Sequence, residues 1–106
     1  MGDRQLGAVA NRVLFENDRV RIWEMHLEPG EKSAVHRHDL DYILVFLAGD
    51  RIRVDVEPDS AGPYKESMEF GVPIGQAVYV GRGGIETAVN AGSAPYREIL
   101  IELKDA

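Results

Sequence analysis

The 106 residues include no cysteine. Disulfide scaffolds, thiolate zinc sites, iron–sulfur clusters and cysteine nucleophiles are therefore excluded. The longest apolar run, residues 43–49, is strand-sized and falls far short of the ~20 residues that cross a membrane. The first ten residues, MGDRQLGAVA, have no apolar signal-peptide core, so a cytoplasmic location is the expectation.

Positive charge is scarce, because 12 Lys and Arg stand against 18 Asp and Glu, and the net charge is −6. Nucleic acids and anionic membrane surfaces require a basic face, so neither is expected as a partner. Hydrophobic residues at 44% and charged residues at 28% are ordinary for a globular protein. The length allows one core. We expect one domain over residues 13–104, preceded over residues 1–12 by an N-terminal arm that is either flexible or an edge strand.

Turn residues divide the chain into short segments that are rich in β-branched and aromatic residues, as strands are. Six segments predict strands most strongly: 19–28, 41–47, 51–56, 76–80, 85–90 and 97–103. Three weaker ones are 13–15, 33–38 and 64–70, and residues 57–63 are predicted as the one long loop. No segment has a sustained helical stripe. The pattern predicts an all-β sandwich or barrel.

Alternation along the strands predicts which faces are buried. Trp23, Met25 and Leu27 form an apolar face, with polar residues between them, so this strand has one buried face. In segment 41–47 both faces are apolar, so that strand is covered twice. The second cover is either a second sheet or another subunit, and a homodimer is the favoured expectation.

The tripeptide His36-Arg37-His38 is the first candidate for chemistry. In a strand, residues two apart lie on one face, so the two rings are side by side. Two neutral imidazoles in that arrangement can bind one divalent metal ion. Taken alone, the tripeptide more often represents two surface or hydrogen-bonded histidines.

Glycines and polar residues at fixed intervals extend this pattern over most of the chain. The first series is Gly30, five residues, His36, one residue, His38, three residues, Tyr42, six residues, Gly49. The second series is Gly75, five residues, Gly81, one residue, Gly83, two residues, Glu86, three residues, Asn90. Over residues 13–104 the chain resembles the cupin family, whose motifs are Gly-x5-His-x-His-x3,4-Glu-x6-Gly and Gly-x5-Pro-x-Gly-x2-His-x3-Asn. The phrase His-Arg-His-Asp-Leu-Asp-Tyr further resembles small stand-alone cupins, some labelled as β-alanine degradation proteins.

This resemblance implies a double-stranded β-helix, a jelly-roll β-barrel of two antiparallel sheets with a site inside. It also implies four metal-ligand positions, of which His36 and His38 match the first two. Tyr42 stands at the usual Glu, Glu86 stands at the usual His, and Gly81 replaces the usual proline. Two His and one Glu remain, which is the ligand set of a facial triad and suits Fe, Mn, Zn or Ni.

Two interpretations of Glu86 stay open, because an unpaired carboxylate inside a barrel is costly. Glu86 either completes a metal site with the two histidines or forms an ion pair with Arg82 or a protonated histidine, without metal. The Arg82 loop itself is predicted as a tight turn, with an anion site as the alternative.

Three neighbouring candidates have other expected roles. Tyr42, whose phenol has an ordinary pKa of about 10, is expected to fill the barrel or donate a hydrogen bond beside the site rather than bind a metal directly. Asp41 is one residue short of the family spacing and is expected to face away from the site. His26 lies on the polar side of its strand and is expected at a surface or interface.

Three functions fit these residues. The first is a metal-dependent cupin acting on a small organic molecule, an acid being one option, by oxidation, isomerisation, hydration or lyase chemistry, with Glu86 and Tyr42 as candidate catalytic residues. The second is a non-catalytic module that holds a small ligand through Tyr42, Trp23 or Arg82. The third is a metal-free acid–base enzyme using Glu86 and a histidine. A cupin fold alone does not choose among them.

Overall fold

The computed structural model describes residues 4–105, which form nine β-strands. The strands are β1 Arg12–Glu16, β2 Val20–Leu27, β3 His36–Arg37, β4 Tyr42–Ala48, β5 Arg51–Val56, β6 Met68–Gly71, β7 Ala77–Val80, β8 Ile85–Asn90 and β9 Tyr96–Leu103. No helix occurs among the described residues, so the all-β prediction is confirmed. The same residues accordingly offer no helix that is able to cross a membrane.

The strands form two antiparallel sheets, one with the order β1-β2-β9-β4-β7 and one with the order β3-β8-β5-β6. Apart from the hairpins β1–β2 and β5–β6, each connection carries the chain from one sheet to the other. The two sheets are thus wound together by a single chain, and their inner faces enclose the core.

All nine predicted strands exist, and the differences lie at their ends and in the loops. Segment 33–38 pairs as a strand only at its residues 36–37, and Lys32 forms an isolated bridge to Val89. The prediction of one long loop at 57–63 is wrong, because residues 57–67 and 28–35 both lie outside the strands. Beside the first of these loops, the Val56 N–H donates to Ser67 Oγ at 3.0 Å, so a side chain replaces the strand partner.

The core lies between the sheets and follows the predicted alternation on β2. Met25 and Leu27 are buried and Trp23 is half-buried against them. Phe46 from β4 and Tyr96 from β9 belong to the same apolar cluster. The inward face of β2 is therefore the one that the sequence predicts.

The outer face of the five-stranded sheet is apolar along its middle. One row crosses all five strands through directly paired residues: Phe15, Ile22, Ile101, Ile43 and Tyr79. The three isoleucines are half-buried, while Phe15 is 52% and Tyr79 is 59% exposed. The second sheet thus covers one of the two apolar faces of β4 and leaves the other at the surface.

The segment before β1 lies against the barrel. The Gly7 N–H donates to the carbonyl of Val35 at 2.8 Å, and Val9 and Ala10 are buried. Arg4 forms ion pairs with two acidic residues of the 57–67 loop. Residues 1–3 of the predicted arm lie outside the described residues, and the division between arm and domain stays a prediction.

Candidate functional site

A cavity of about 40 Å³ lies between the two sheets. Its wall is largely apolar, and its polar residues are His36, His38, Tyr42, Glu86, Tyr96 and Glu98. One water molecule needs roughly 10–15 Å³ on the same measure. The cavity therefore has room for an ion with a few waters or for a small organic group.

Strand pairing brings His36 and Glu86 together. His36 on β3 is the direct partner of Glu86 on β8 in the antiparallel ladder. Directly opposed residues project from the same face of a sheet, with Cβ atoms roughly 5 Å apart. Both side chains therefore enter the cavity from the four-stranded sheet, where His36 is 2% and Glu86 is 9% exposed.

A backbone carbonyl sets the tautomer of His36. His36 Nδ1 lies 2.8 Å from the carbonyl oxygen of Ala34, which can only accept, so Nδ1 carries the proton. The unprotonated Nε2 keeps its lone pair, as a metal ligand requires. Burial lowers the pKa of His36, and the hydrogen bond to Ala34 opposes that shift in part. His36 is thus a neutral imidazole at neutral pH.

His38 follows β3 and is held by the loop before β8. Its N–H donates to the carbonyl of Gly84, and its carbonyl accepts from the N–H of Gly83, both at 2.8 Å. Gly83 has a φ of +107°, which favours glycine and supports the prediction of a tight turn here. The His38 ring is 2% exposed and lies edge-on to that of His36, with centroids 4.8 Å apart.

The His38 ring is electrically neutral, and its Nδ1 lacks a hydrogen bond. Burial, with a smaller contribution from His36, lowers the pKa of His38 to about 3. Within residues 4–105, His38 Nδ1 has no hydrogen-bond partner. A buried polar atom without a partner costs about 1–3 kcal/mol. A species bound in the cavity that engaged this ring would recover part of that cost.

Glu86 completes the cluster. Its Oε2 lies 4.0 Å from His38 Nε2, and burial raises the pKa of the carboxyl to about 7. The alternative of an ion pair with Arg82 is wrong, because Arg82 Nε lies 3.1 Å from Asp41 and Arg82 Nη2 lies 2.8 Å from Asp105. Arg82 therefore points to the surface loops instead of the cavity.

One potential ligand atom from each of His36, His38 and Glu86 lies within 4.8 Å of the others. Around a transition-metal ion with bonds of roughly 2.1 Å, neighbouring ligand atoms are about 3–3.4 Å apart. The longest of these separations would have to shorten by about 1.5 Å for the three atoms to share one metal ion. This donor set, two neutral imidazoles and one carboxyl, fits a divalent transition metal.

Tyr42 lies beside this cluster. Its ring is stacked on that of His38, with centroids 3.9 Å apart and planes 20° from parallel. Burial first, and then the nearby Glu86 and Glu98, raise the pKa of Tyr42 above its ordinary value. Tyr42 is therefore a neutral phenol rather than a phenolate.

Asp41 and His26 lie away from the cavity, as expected. The carboxylate of Asp41 accepts hydrogen bonds from Tyr79 OH at 2.7 Å and from the Arg82 N–H at 2.9 Å. The exposed side chain of His26 lies 3.7 Å from Glu28. Neither residue lines the cavity.

Sequence reasoning missed Glu98 and Tyr96. Both lie on β9 and line the cavity, and Glu98 is only 5% exposed. Tyr96 OH donates a hydrogen bond to Glu98 Oε1. Burial raises the pKa of Glu98 to about 7, with the Tyr96 hydrogen bond opposing the shift. The signal was present in the alternation of β9, where Tyr96, Glu98 and Leu100 share the buried face.

The arrangement of the strands resembles that of solved structures. A cupin domain from Bordetella pertussis Tohama I matches with a TM-score of 0.77 and 22% identity, covering 98% of this chain and 100% of that chain. This chain has the cupin fold. The double-stranded β-helix expected from the sequence motifs is thereby confirmed.

Two further solved structures share this cupin fold. An RmlC-like cupin family protein with a double-stranded β-helix fold, from Methanocaldococcus jannaschii, has a TM-score of 0.66 and 16% identity, with 92% of this chain and 94% of that chain covered. The polyketide cyclase RemF from Streptomyces resistomycificus has a TM-score of 0.60 and 17% identity, with 84% of this chain and 57% of that chain covered. No protein-family model matches the sequence, and no curated protein matches it.

Proposed function

We propose that this cupin binds one divalent metal ion in its barrel through His36, His38 and Glu86 and acts on a small organic molecule there. The observation that carries the proposal is the meeting of three buried ligand atoms within 4.8 Å of one another. The protonated Nδ1 of His36 supports it, because the Nε2 of that ring is then free to bind a metal, and the His38 ring is also neutral.

The chemistry follows from the donor set. A bound Fe, Mn, Zn or Ni ion would supply Lewis acidity or, for iron, access to O₂. Three protein ligands leave positions open for a substrate. Tyr42, held in its phenol form, is placed to donate a hydrogen bond beside the site, and the apolar wall limits the access of water. Oxidation, isomerisation, hydration and lyase chemistry all use such a site, and the neighbour RemF is a cyclase by name.

Metal occupancy tests this proposal. Protein purified without an affinity tag or chelator is incubated with Fe²⁺, Mn²⁺, Zn²⁺ or Ni²⁺ in turn, and bound metal is measured by elemental analysis. We expect about one metal per chain for at least one of these ions, and much less for His36→Ala and Glu86→Gln. His26→Ala is the matched control, because His26 is exposed and lies outside the cavity. Occupancy far below one with all four ions overturns the proposal.

The second candidate is a metal-free cupin that holds a small ligand or exchanges protons with it. Two observations favour it: the largely apolar cavity wall, and a pKa of about 7 for Glu86, which suits acid–base work near neutral pH. Melting temperatures separate the two candidates. A large drop on addition of a chelator supports the metal site, while an unchanged value supports the metal-free candidate.

We also propose that the chain forms a homodimer through the outer face of the five-stranded sheet. Its five strands average about six residues, so spacings of about 4.8 Å between strands and about 3.3 Å between residues give a face of roughly 500 Å², against the ~800 Å² per partner of a stable interface. Both charge signs occur at its edges, where Arg12 pairs with Glu24 and Lys104 pairs with Glu16. A face of this kind can be complementary to itself, as two-fold symmetry requires.

The remaining predictions on location and partners rest on the sequence. The net charge of −6 disfavours nucleic acid and anionic membranes as partners. A cytoplasmic location and a link to β-alanine degradation both stay predictions.

A further inference from the structure

The cavity has a second polar group opposite the proposed metal ligands. His36 and Glu86 enter from the four-stranded sheet, whereas Glu98 enters from β9 in the five-stranded sheet. A ligand held between the sheets would therefore contact the His36, His38 and Glu86 cluster on one side and the carboxyl of Glu98 on the other.

Comparison with Glu102 shows that Glu98 lacks a cationic partner. Glu102 lies four residues after Glu98 on the same buried face of β9. Its Oε1 accepts from Arg21 Nε at 2.8 Å and from Trp23 Nε1 at 2.6 Å. Glu98 accepts from Tyr96 OH, and no ion pair joins it to another of the residues 4–105. Glu102 thus forms a structural ion pair with Arg21 outside the cavity, whereas Glu98 is a buried acid that faces into the cavity.

The charge of the cavity wall restricts the ligand. The lining residues include two carboxyl groups, two histidines and two tyrosines but no Lys or Arg within the described part of the chain. On the Glu98 side of the cavity, opposite the proposed metal ligands, a bound carboxylate would find no cationic side chain, and above pH 7 it would lie near the ionised Glu98, whose charge has the same sign. An N–H or O–H donor would instead satisfy the free acceptor positions of Glu98.

We propose that Glu98 is a specificity-determining residue that accepts a hydrogen bond from the substrate, so that its side of the cavity, opposite the metal ligands, takes an uncharged or cationic group rather than a carboxylate. This inference rests on the proposed function in placing the substrate in the same cavity. It restricts the option of an acidic substrate, which the sequence left open, to an acid whose carboxylate lies on the metal side of the cavity. Tyr96 acts as a positioning residue, since its hydroxyl holds Oε1 of Glu98.

Three probes of nearly equal shape test the inference: acetamidinium, acetamide and acetate, with charges of +1, 0 and −1. Binding is measured on metal-free protein at pH 8, where Glu98 is ionised, by NMR shifts of the backbone amides that surround the cavity. We expect wild-type protein to bind acetamidinium most tightly and acetate least. In Glu98→Gln, affinity for acetamidinium should fall by about tenfold or more, while affinity for acetate rises.

Glu102→Gln is the matched control, because it neutralises a buried acid on the same face of β9 outside the cavity. It should keep the wild-type order of the probes. The inference is overturned if acetate binds wild-type protein as tightly as acetamidinium, if none of the probes binds, or if Glu98→Gln keeps the wild-type order. These measurements need no metal, so a failure of metal binding overturns the proposed function alone.

Discussion

His38 and Tyr42 are stacked, with ring centroids 3.9 Å apart and planes 20° from parallel. Nδ1 of His38 has no hydrogen-bond partner within residues 4–105, so this stack and the backbone bonds to Gly83 and Gly84 help to orient the ring. Tyr42 stands where the cupin motif has a Glu ligand. The residue at that position therefore holds a neighbouring histidine in place.

Two substitutions of Tyr42 distinguish the role of its stacked ring from the role of its hydroxyl. Tyr42→Ala should lower the free energy of unfolding by about 3–5 kcal/mol, since a buried aromatic side chain is lost. It should also weaken Zn²⁺ binding by about 10- to 100-fold, because His38 loses its support. Tyr42→Phe keeps the ring and should stay near wild type in both respects. Urea denaturation and competition with a zinc chelator measure the two effects, and equal zinc loss in both variants contradicts the role of the stack.

A methyl group at residue 84 tests how tightly the carboxyl of Glu86 is placed. A Cβ at Gly84 would lie 3.0 Å from Glu86 Oε1 and 4.0 Å from His38 Cδ2. Gly84→Ala should therefore displace the carboxyl and weaken Zn²⁺ binding by about tenfold, with a small effect on stability because a side-chain end moves. Gly81→Ala is the control, since its Cβ would meet nothing within 4 Å. Equal zinc affinities for the two variants would contradict a ligand role for Glu86.

The buried acids predict how stability depends on pH in metal-free protein. Burial raises the pKa of Glu98 from 4.5 to about 7. The folded chain thus keeps this proton between pH 4.5 and 7 while the unfolded chain releases it, so stability falls as the pH rises through that window. Glu98→Gln has no carboxyl to ionise at this position, so it does not lose stability in this way. Between pH 4.5 and pH 8 it should gain about 3 kcal/mol relative to wild type.

The histidines act in the opposite direction. Burial lowers the pKa of His38 from 6.5 to about 3. In this pH range the unfolded chain binds a proton at His38 and the folded chain does not, so stability is lost as the pH falls from 6.5 towards 3. His38→Gln should gain relative to wild type over that window. Urea denaturation across the pH range checks both variants, and a difference from wild type that does not change with pH would refute the assignment.

The proposed dimer predicts the effect of one charge on the outer face of the five-stranded sheet. Ile101 lies in the middle of the apolar row, so Ile101→Lys should place an unpaired charge in the interface and give a monomer of 11.8 kDa. Light scattering with size-exclusion chromatography measures the mass. Ile74→Lys is the control, because Ile74 is 58% exposed and lies outside the strands. A monomeric wild-type protein would remove the dimer proposal.

The sequence by itself determined the strands, their inward faces and the three candidate ligands. Alternation is local, so Trp23, Met25 and Leu27 reveal their buried face without knowledge of the partner strands. The spacing of His36, His38 and Glu86 was readable for a related reason. It could be compared with the cupin motifs, and the strand pairing that places His36 opposite Glu86 agrees with that comparison.

Only the tertiary structure decided which partner each polar group has. Arg82 pairs with Asp41 and Asp105 rather than with Glu86, and Glu98 faces the cavity while Glu102 pairs with Arg21. These choices join residues that are far apart in the chain. Burial and partner geometry set the charge and proton position of each group, and both arise only when the two sheets close over the cavity.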